Sequence, residues 1–234
     1  MSKPIRVAIL DDHQAIIDGY LYRLKNAHDI EVTATLLFGE ELESALLNQK
    51  VDILLLDLQV PIGPSNPNPF PILHELPRLL QTYPELDVLV ISMHAQPALI
   101  QAVMEAGASG YILKEDMAAF RELASVIRSI NNQGIYLSPA AFHALSKRKT
   151  GDFSQPLSPR QLEALSLCAA YPDASTAELA NKMGIAHSTF RNLLSGIYVK
   201  LNVRSRASAV LKAEQMGLTP PKLTTSNLSF EDSL

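Results

Sequence analysis

A chain of 234 residues, 47% of them apolar, with a formal net charge of −4, can bury a sizeable core in roughly one and a half to two domains. No apolar run reaches the roughly 18 residues of a membrane span, so none is expected. The single Cys168 excludes an intrachain disulfide and a thiolate-rich zinc site, and the N-terminus leads into a strand rather than a signal segment; both point to the cytoplasm.

In chain order, nearly unbroken apolar runs predict strands at 5–10, 31–37, 51–56, 88–92 and 110–113. Between them, the pattern predicts helices at 14–27, 39–49, 71–82, 96–107 and 117–132. Repeated βα units imply an α/β domain whose parallel sheet is covered on both faces. Ile135 to Pro139 then suggests a short strand or turn, followed by a helix leading out of this domain.

Several polar residues stand at the ends of these strands. Asp11 and Asp12 follow the first, Asp57 the third, Ser92 the fourth and Lys114 the fifth. Open α/β sheets bind ligands in the crevice outside the carboxyl ends of their strands. Taken singly, an Asp there is often a turn former or helix cap, Ser92 a hydrogen bonder and Lys114 a solvated charge. Together they predict an acid pocket. Converging carboxylates repel, and a hard cation such as Mg²⁺ relieves that repulsion in a site that also takes a phosphoryl group.

Asp11-Asp12, Asp57, Ser92 and the run Gly107 to Lys114 resemble the receiver domain of two-component response regulators, over about residues 4–130. The resemblance implies a flavodoxin-like, doubly wound, five-stranded sheet of order 2-1-3-4-5. It also implies that Asp57 is the phosphoacceptor. Mg²⁺ would be held by Asp11, Asp12, Asp57 and the backbone carbonyl of Gln59. Lys114 would contact a phosphoryl oxygen, Ser92 another in the active state, and Tyr111 would then turn inward. The partner so implied is a cognate sensor histidine kinase.

One stretch departs from that family. After Asp57, the segment Leu58 to Pro71 is longer than the usual turn and rich in proline, with Pro61, Pro64, Pro67, Pro69 and Pro71 favouring an extended, semi-rigid course. It reads as a surface insertion, or as a lid or docking segment beside Asp57. Pro77 should kink the next helix or reset its start.

Residues 146–156 have no apolar periodicity and read as a linker. Charge changes across it: residues 1–145 carry 9 Lys+Arg against 17 Asp+Glu, and residues 157–217 carry 7 against 4. An acidic front and a basic back suggest two domains with different partners. The second is short and helical, with helices expected at 159–170, 176–183, 187–201 and 205–216, and a cap at Ser158. Ser175 and Glu178 have capping-box spacing, and Gly184 ends the second helix in a helix-turn-helix pattern. The tail 218–234 reads as disordered.

Leu157-Ser158-Pro159-Arg160-Gln161-Leu162, Ala177-Glu178-Leu179-Ala180, Thr189-Phe190-Arg191-Asn192 and Lys200 to Arg206 are similar to the LuxR-type DNA-binding domain. With the receiver, this makes the chain resemble the NarL/FixJ class of response regulators. The resemblance places the helix at 187–201 in the DNA major groove. Its apolar stripe of Phe190, Leu193, Leu194, Ile197 and Leu201 leaves Ser188, Arg191, Asn192, Ser195 and Val199 outward. Arg191 suits guanine and Asn192 adenine. Lys182, Lys200, Arg204 and Arg206 are candidate phosphate contacts. Ala186 and Gly196 depart from the family, which argues for promoter binding as a homodimer.

The expected function is a DNA-binding transcription regulator gated by phosphorylation of Asp57. The alternative is the same scaffold controlled without phosphate by a protein or small ligand at the receiver or its proline-rich loop. A redox flavoprotein would want a neutral, hydroxyl- or Gly-rich loop where Asp11-Asp12-His13 stands. An aspartate-nucleophile phosphatase would want an acid where Gln59 stands. An enzyme is therefore not expected.

Overall fold

The computed structural model describes residues 3–146 and 157–219. The expected linker falls outside these residues except for Ser146, and the tail except for Leu218 and Thr219. In the first domain the strands are β1 (Ile5–Leu10), β2 (Ile30–Leu36), β3 (Ile53–Leu56), β4 (Pro61–Gly63), β5 (Asn66–Pro69), β6 (Asp87–Ser92), β7 (Gly110–Leu113) and β8 (Tyr136–Leu137). Its helices are α1 (Gln14–Leu24), α2 (Glu41–Asn48), α3 (Ile72–Thr82), α4 (Pro97–Glu105), α5 (Met117–Arg121), α6 (Leu123–Asn131) and α7 (Pro139–Ser146).

The main sheet runs β2-β1-β3-β6-β7-β8, with every neighbouring pair parallel. The expected order is therefore present, but the sheet has six strands rather than five. The sixth forms because Tyr136 and Ser138 donate their backbone N–H groups to the carbonyls of Ser109 and Tyr111. That covers edge groups β7 would otherwise leave unpaired.

Successive side chains of a strand point to opposite faces, and two cores result. Val7, Ile9, Ile53, Leu55, Leu89 and Ile91 pack with α1, α5 and α6. Ala8, Leu10, Leu54, Leu56, Val88 and Val90 face the other way, towards α2, α3 and α4. Parallel strands buried on both sides need such apolar runs, which is why they were legible.

The proline-rich segment departs from the extended course expected of it. β4 and β5 pair antiparallel, with Pro61 opposite Pro69 and Gly63 opposite Asn66, so Pro64-Ser65 forms the tip. Asn66 Oδ1 accepts from the backbone and side chain of Asn68. The hairpin is tied to the start of α2, where Gly39 and Glu40 donate to the carbonyls of Pro61 and Ile62. α3 runs unbroken through Pro77, which does not reset its start. The proline removes one backbone donor, while Ile72, Leu73 and Leu76 keep the helix seated in the core.

The second domain comprises α8 (Pro159–Ala170), α9 (Thr176–Lys182), α10 (His187–Leu201) and α11 (Arg206–Gln215). Ser158 and Gln161 form a capping box, as do Ser175 and Glu178. Each box satisfies backbone donors that a helix start leaves unpaired. Phe190, Leu194, Ile197 and Leu201 are the buried stripe of α10. Gly196 has a packing reason: a Cβ there would lie 2.8 Å from Gln161 Nε2 on α8. Leu218 and Thr219, expected to begin the disordered tail, are buried at 7% and 1% exposure.

Candidate phosphoryl-acceptor pocket and nucleic-acid face

Sheet register assembles the pocket. Leu10 pairs with Leu56, so the next residues, Asp11 and Asp57, emerge side by side, and the Asp57 N–H donates to Leu10 O at 2.9 Å. Ser92 pairs with Leu113, and the Lys114 N–H donates to Ser92 O at 2.8 Å. Four strand ends thereby bring the expected residues into one crevice.

Lys114 Nζ donates to Asp11 Oδ2 and Asp57 Oδ2, each at 2.8 Å. Asp11 and Asp57 are buried, at 1% and 3% exposure. Burial pushes the Asp57 carboxyl up to about 6; Lys114 opposes this, the Asp11 charge adds to it, and the Gln59 backbone N–H holds it down. Burial works against the Lys114 ammonium, but Asp57 and Asp11 outweigh it and raise its pKa. Asp57 Oδ1 is buried and has no hydrogen-bond partner among the described residues.

Asp12 lies at the mouth. Burial raises its carboxyl, with His13 opposing and Asp11 adding. His13 Nδ1 sits 2.7 Å from Asp12 Oδ1. Ligand atoms of Asp11, Asp12 and His13 all lie within 4.8 Å of one another. Asp57 is outside that trio and is held by Lys114 instead. Sequence reasoning did not single out His13, although its place directly after the two acids was the available signal.

Ser92 and Tyr111 are both fully buried. Ser92 Oγ accepts the His94 N–H at 3.2 Å. The Tyr111 hydroxyl donates to His94 O at 2.7 Å, so the ring is turned inward. The His94 backbone thus joins the two expected switch residues. Its imidazole pKa is lowered by burial.

In the helical domain, Ser188, Arg191, Asn192 and Ser195 are exposed on one side of α10, together with Val199 at 79%. The expected phosphate contacts divide. Arg204 is exposed, and Lys182 is exposed with its Nζ 4.1 Å from the centre of the Tyr171 ring. Lys200 Nζ donates to Gln161 Oε1 at 2.9 Å. Arg206 is half-buried, and its guanidinium donates to the carbonyls of Pro172 and Ala174, so it braces the domain from within. Sequence reasoning also missed His74 and Glu163, a buried pair 89 positions apart that no local pattern announces.

Comparison with known proteins matches both halves. Residues 7–127 match the response regulator receiver domain, and residues 155–213 match the bacterial regulatory proteins of the luxR family. The oxygen regulatory protein NreC of Staphylococcus carnosus is 27% identical over 216 residues, spanning 88% of this chain and 95% of the relative. The transcriptional regulatory protein DegU of Brevibacillus brevis is 28% identical over 233 residues, spanning 91% and 94%. The structure of RcsB from Salmonella enterica serovar Typhimurium, bound to promoter rprA in the presence of phosphomimetic BeF3-, shares the fold. Its TM-score is 0.63 at 19% identity, covering 90% of this chain and 98% of that one.

Proposed function

The chain belongs to the response regulators, with a receiver joined to a luxR-family DNA-binding domain, and from that premise we propose that phosphorylation of Asp57 gates its reading of DNA. The family is one of transcriptional regulators rather than enzymes. The observation that carries the reading is the bridge from Lys114 to both Asp11 and Asp57 in a buried crevice. It supplies a carboxylate nucleophile and a cation beside it.

In this reading an Asp57 oxygen attacks phosphorus, the donor's leaving group departs, and an acyl phosphate remains. Lys114 turns from Asp57 to a phosphoryl oxygen. The Ser92 hydroxyl moves to another, drawing on the His94 backbone that also holds Tyr111. The residues fit a resident Mg²⁺. The donors are carboxylate oxygens, they crowd one another, and Asp57 Oδ1 is buried without a partner among the described residues. Asp11, Asp12, Asp57 and the Gln59 carbonyl would hold the ion, which supplies neutralisation of charge on the transferring oxygens.

The donor is a cognate sensor histidine kinase, and the compartment is the cytoplasm. Among the described residues, no helix is long and apolar enough to cross a membrane. In the DNA-binding half, Arg191 and Asn192 reach base edges, flanked by Ser188 and Ser195, while Lys182, Arg204 and, after release from Gln161, Lys200 meet phosphates. A homodimer presents two such helices to promoter DNA. A second reading, control without phosphate, is favoured by one observation: β5 packs against α8. A ligand or protein on the hairpin would then reach the helical domain directly.

The test is phosphoryl uptake from a small phosphodonor with Mg²⁺, comparing the native chain with Asp57→Asn. Uptake by the native chain alone supports the proposal. Equal uptake moves the acceptor elsewhere, and none by either chain leaves the phosphate-free reading.

A further inference from the structure

α8 lies between the two domains. β5, α3 and α4 contact it from the receiver, and α9, α10 and α11 cover it from its own domain. All ten residues from Gln161 to Ala170 are buried. The outer helix of a domain moving independently would keep a polar face in water. The apolar core on this side of the receiver sheet continues through Leu76, Ile100 and Val103 to Leu162, Leu165 and Phe190.

Two further contacts cross the seam. His74 Nδ1 lies 3.1 Å from Glu163 Oε1, with the side chains 6% and 12% exposed. Glu163 also accepts from Arg160 at 2.6 Å. At the far end of α11, Gly217 lies so close to Gln96 that a Cβ would fall 2.2 Å from its Nε2. Docking leaves the outward residues of α10 exposed, as described above. The receiver therefore grips the back of the helical domain and leaves open the face that would read DNA.

We propose that this docked arrangement is itself the DNA-reading one. The hairpin β4–β5 and the His74–Glu163 pair act as positioning elements that hold α10 at a set place relative to the receiver. In a dimer they would fix the separation of the two half-sites. The inference rests on the dimeric reading of DNA by α10 proposed above. Two helical domains held rigidly by their receivers match one separation, and domains on loose tethers accept many. None of these positioning residues belongs to α10, the helix proposed to read bases.

The experiment uses the full chain and a series of inverted half-sites with inserted base pairs. The native protein is compared with His74→Ala, Glu163→Ala, their double variant and a chain lacking hairpin residues 64–67. Inserting half a turn, about 5 base pairs, places the half-sites on opposite faces of the duplex, and the native protein should then bind about tenfold or more weakly. In the variants that penalty should shrink severalfold, while base preference and circular dichroism stay native. The His–Glu double variant should relax spacing no further than either single variant. The proposal is overturned if the native chain tolerates every spacing alike, or if the variants keep the native spacing preference. It is also overturned if they bind the optimal site more tightly, because docking would then be inhibitory. Arg191→Ala is measured in parallel. If it leaves sequence preference unchanged, the failure lies in the reading of DNA by α10 rather than in the positioning.

Discussion

At the scale of residues, Asp57 carries both chemistry and a stability cost. Its carboxyl is held at about 6, chiefly by burial, against roughly 3.9 in an unfolded chain. Between those values the folded state binds more protons than the unfolded state, so metal-free stability should fall as pH rises through that window. Asp57→Asn should therefore melt above the native protein at pH 7.5 with a chelator present, by about 1–3 kcal/mol, and the gap should close below about pH 4. Melting curves across that range check the sign; a gap that is constant with pH would contradict it. On the DNA side, Arg191→Ala should cost roughly 1–3 kcal/mol and relax preference at one base position. Arg204→Ala should weaken all sequences alike and lower the salt slope by about one charge. Salt titrations of both variants distinguish a base contact from a phosphate contact.

At the scale of elements, α8 is where packing carries most weight. Leu165 is fully buried there and Leu211 on α11 is 56% exposed. Leu165→Ala should cost about 2–5 kcal/mol, and Leu211→Ala no more than about 0.5 kcal/mol; chemical denaturation of the two variants measures both. The elements legible from sequence were those with a local cause. Apolar runs announced β1, β3, β6 and β7, and the capping residues Ser158 and Ser175 announced α8 and α9. Asp11, Asp57, Ser92 and Lys114 were legible because each directly follows or ends such a strand. What escaped depends on distant partners. A short strand or turn was expected at Ile135 to Pro139, but its joining the sheet as a sixth strand depends on the carbonyls of Ser109 and Tyr111. The prolines after Asp57 suggested extension, but Gly39 and Glu40 of the neighbouring loop fold that segment into a hairpin. Gly196 departs from the family pattern, and Gln161 occupies the space a side chain there would need.

At the scale of the whole molecule, one apolar cluster crosses from the receiver into the helical domain. Removing His74 takes one hydrogen-bond partner from the buried end of Glu163, which keeps Arg160, and should cost about 1–3 kcal/mol. The two domains should therefore unfold in a single cooperative transition, seen as coincident curves from sheet and helix probes. His74→Ala should split that transition or separate the two probes, and two separate transitions in the native chain would contradict shared packing. The central claim joins the two ends of this molecule: phosphate at Asp57 governs DNA binding through α10. It is tested most directly by the affinity for a selected promoter site, with and without a small phosphodonor and Mg²⁺, in the native chain and in Asp57→Asn. The donor should tighten binding by the native chain severalfold and leave Asp57→Asn unmoved. An equal response in both chains, or none in the native chain after confirmed phosphorylation, would contradict it.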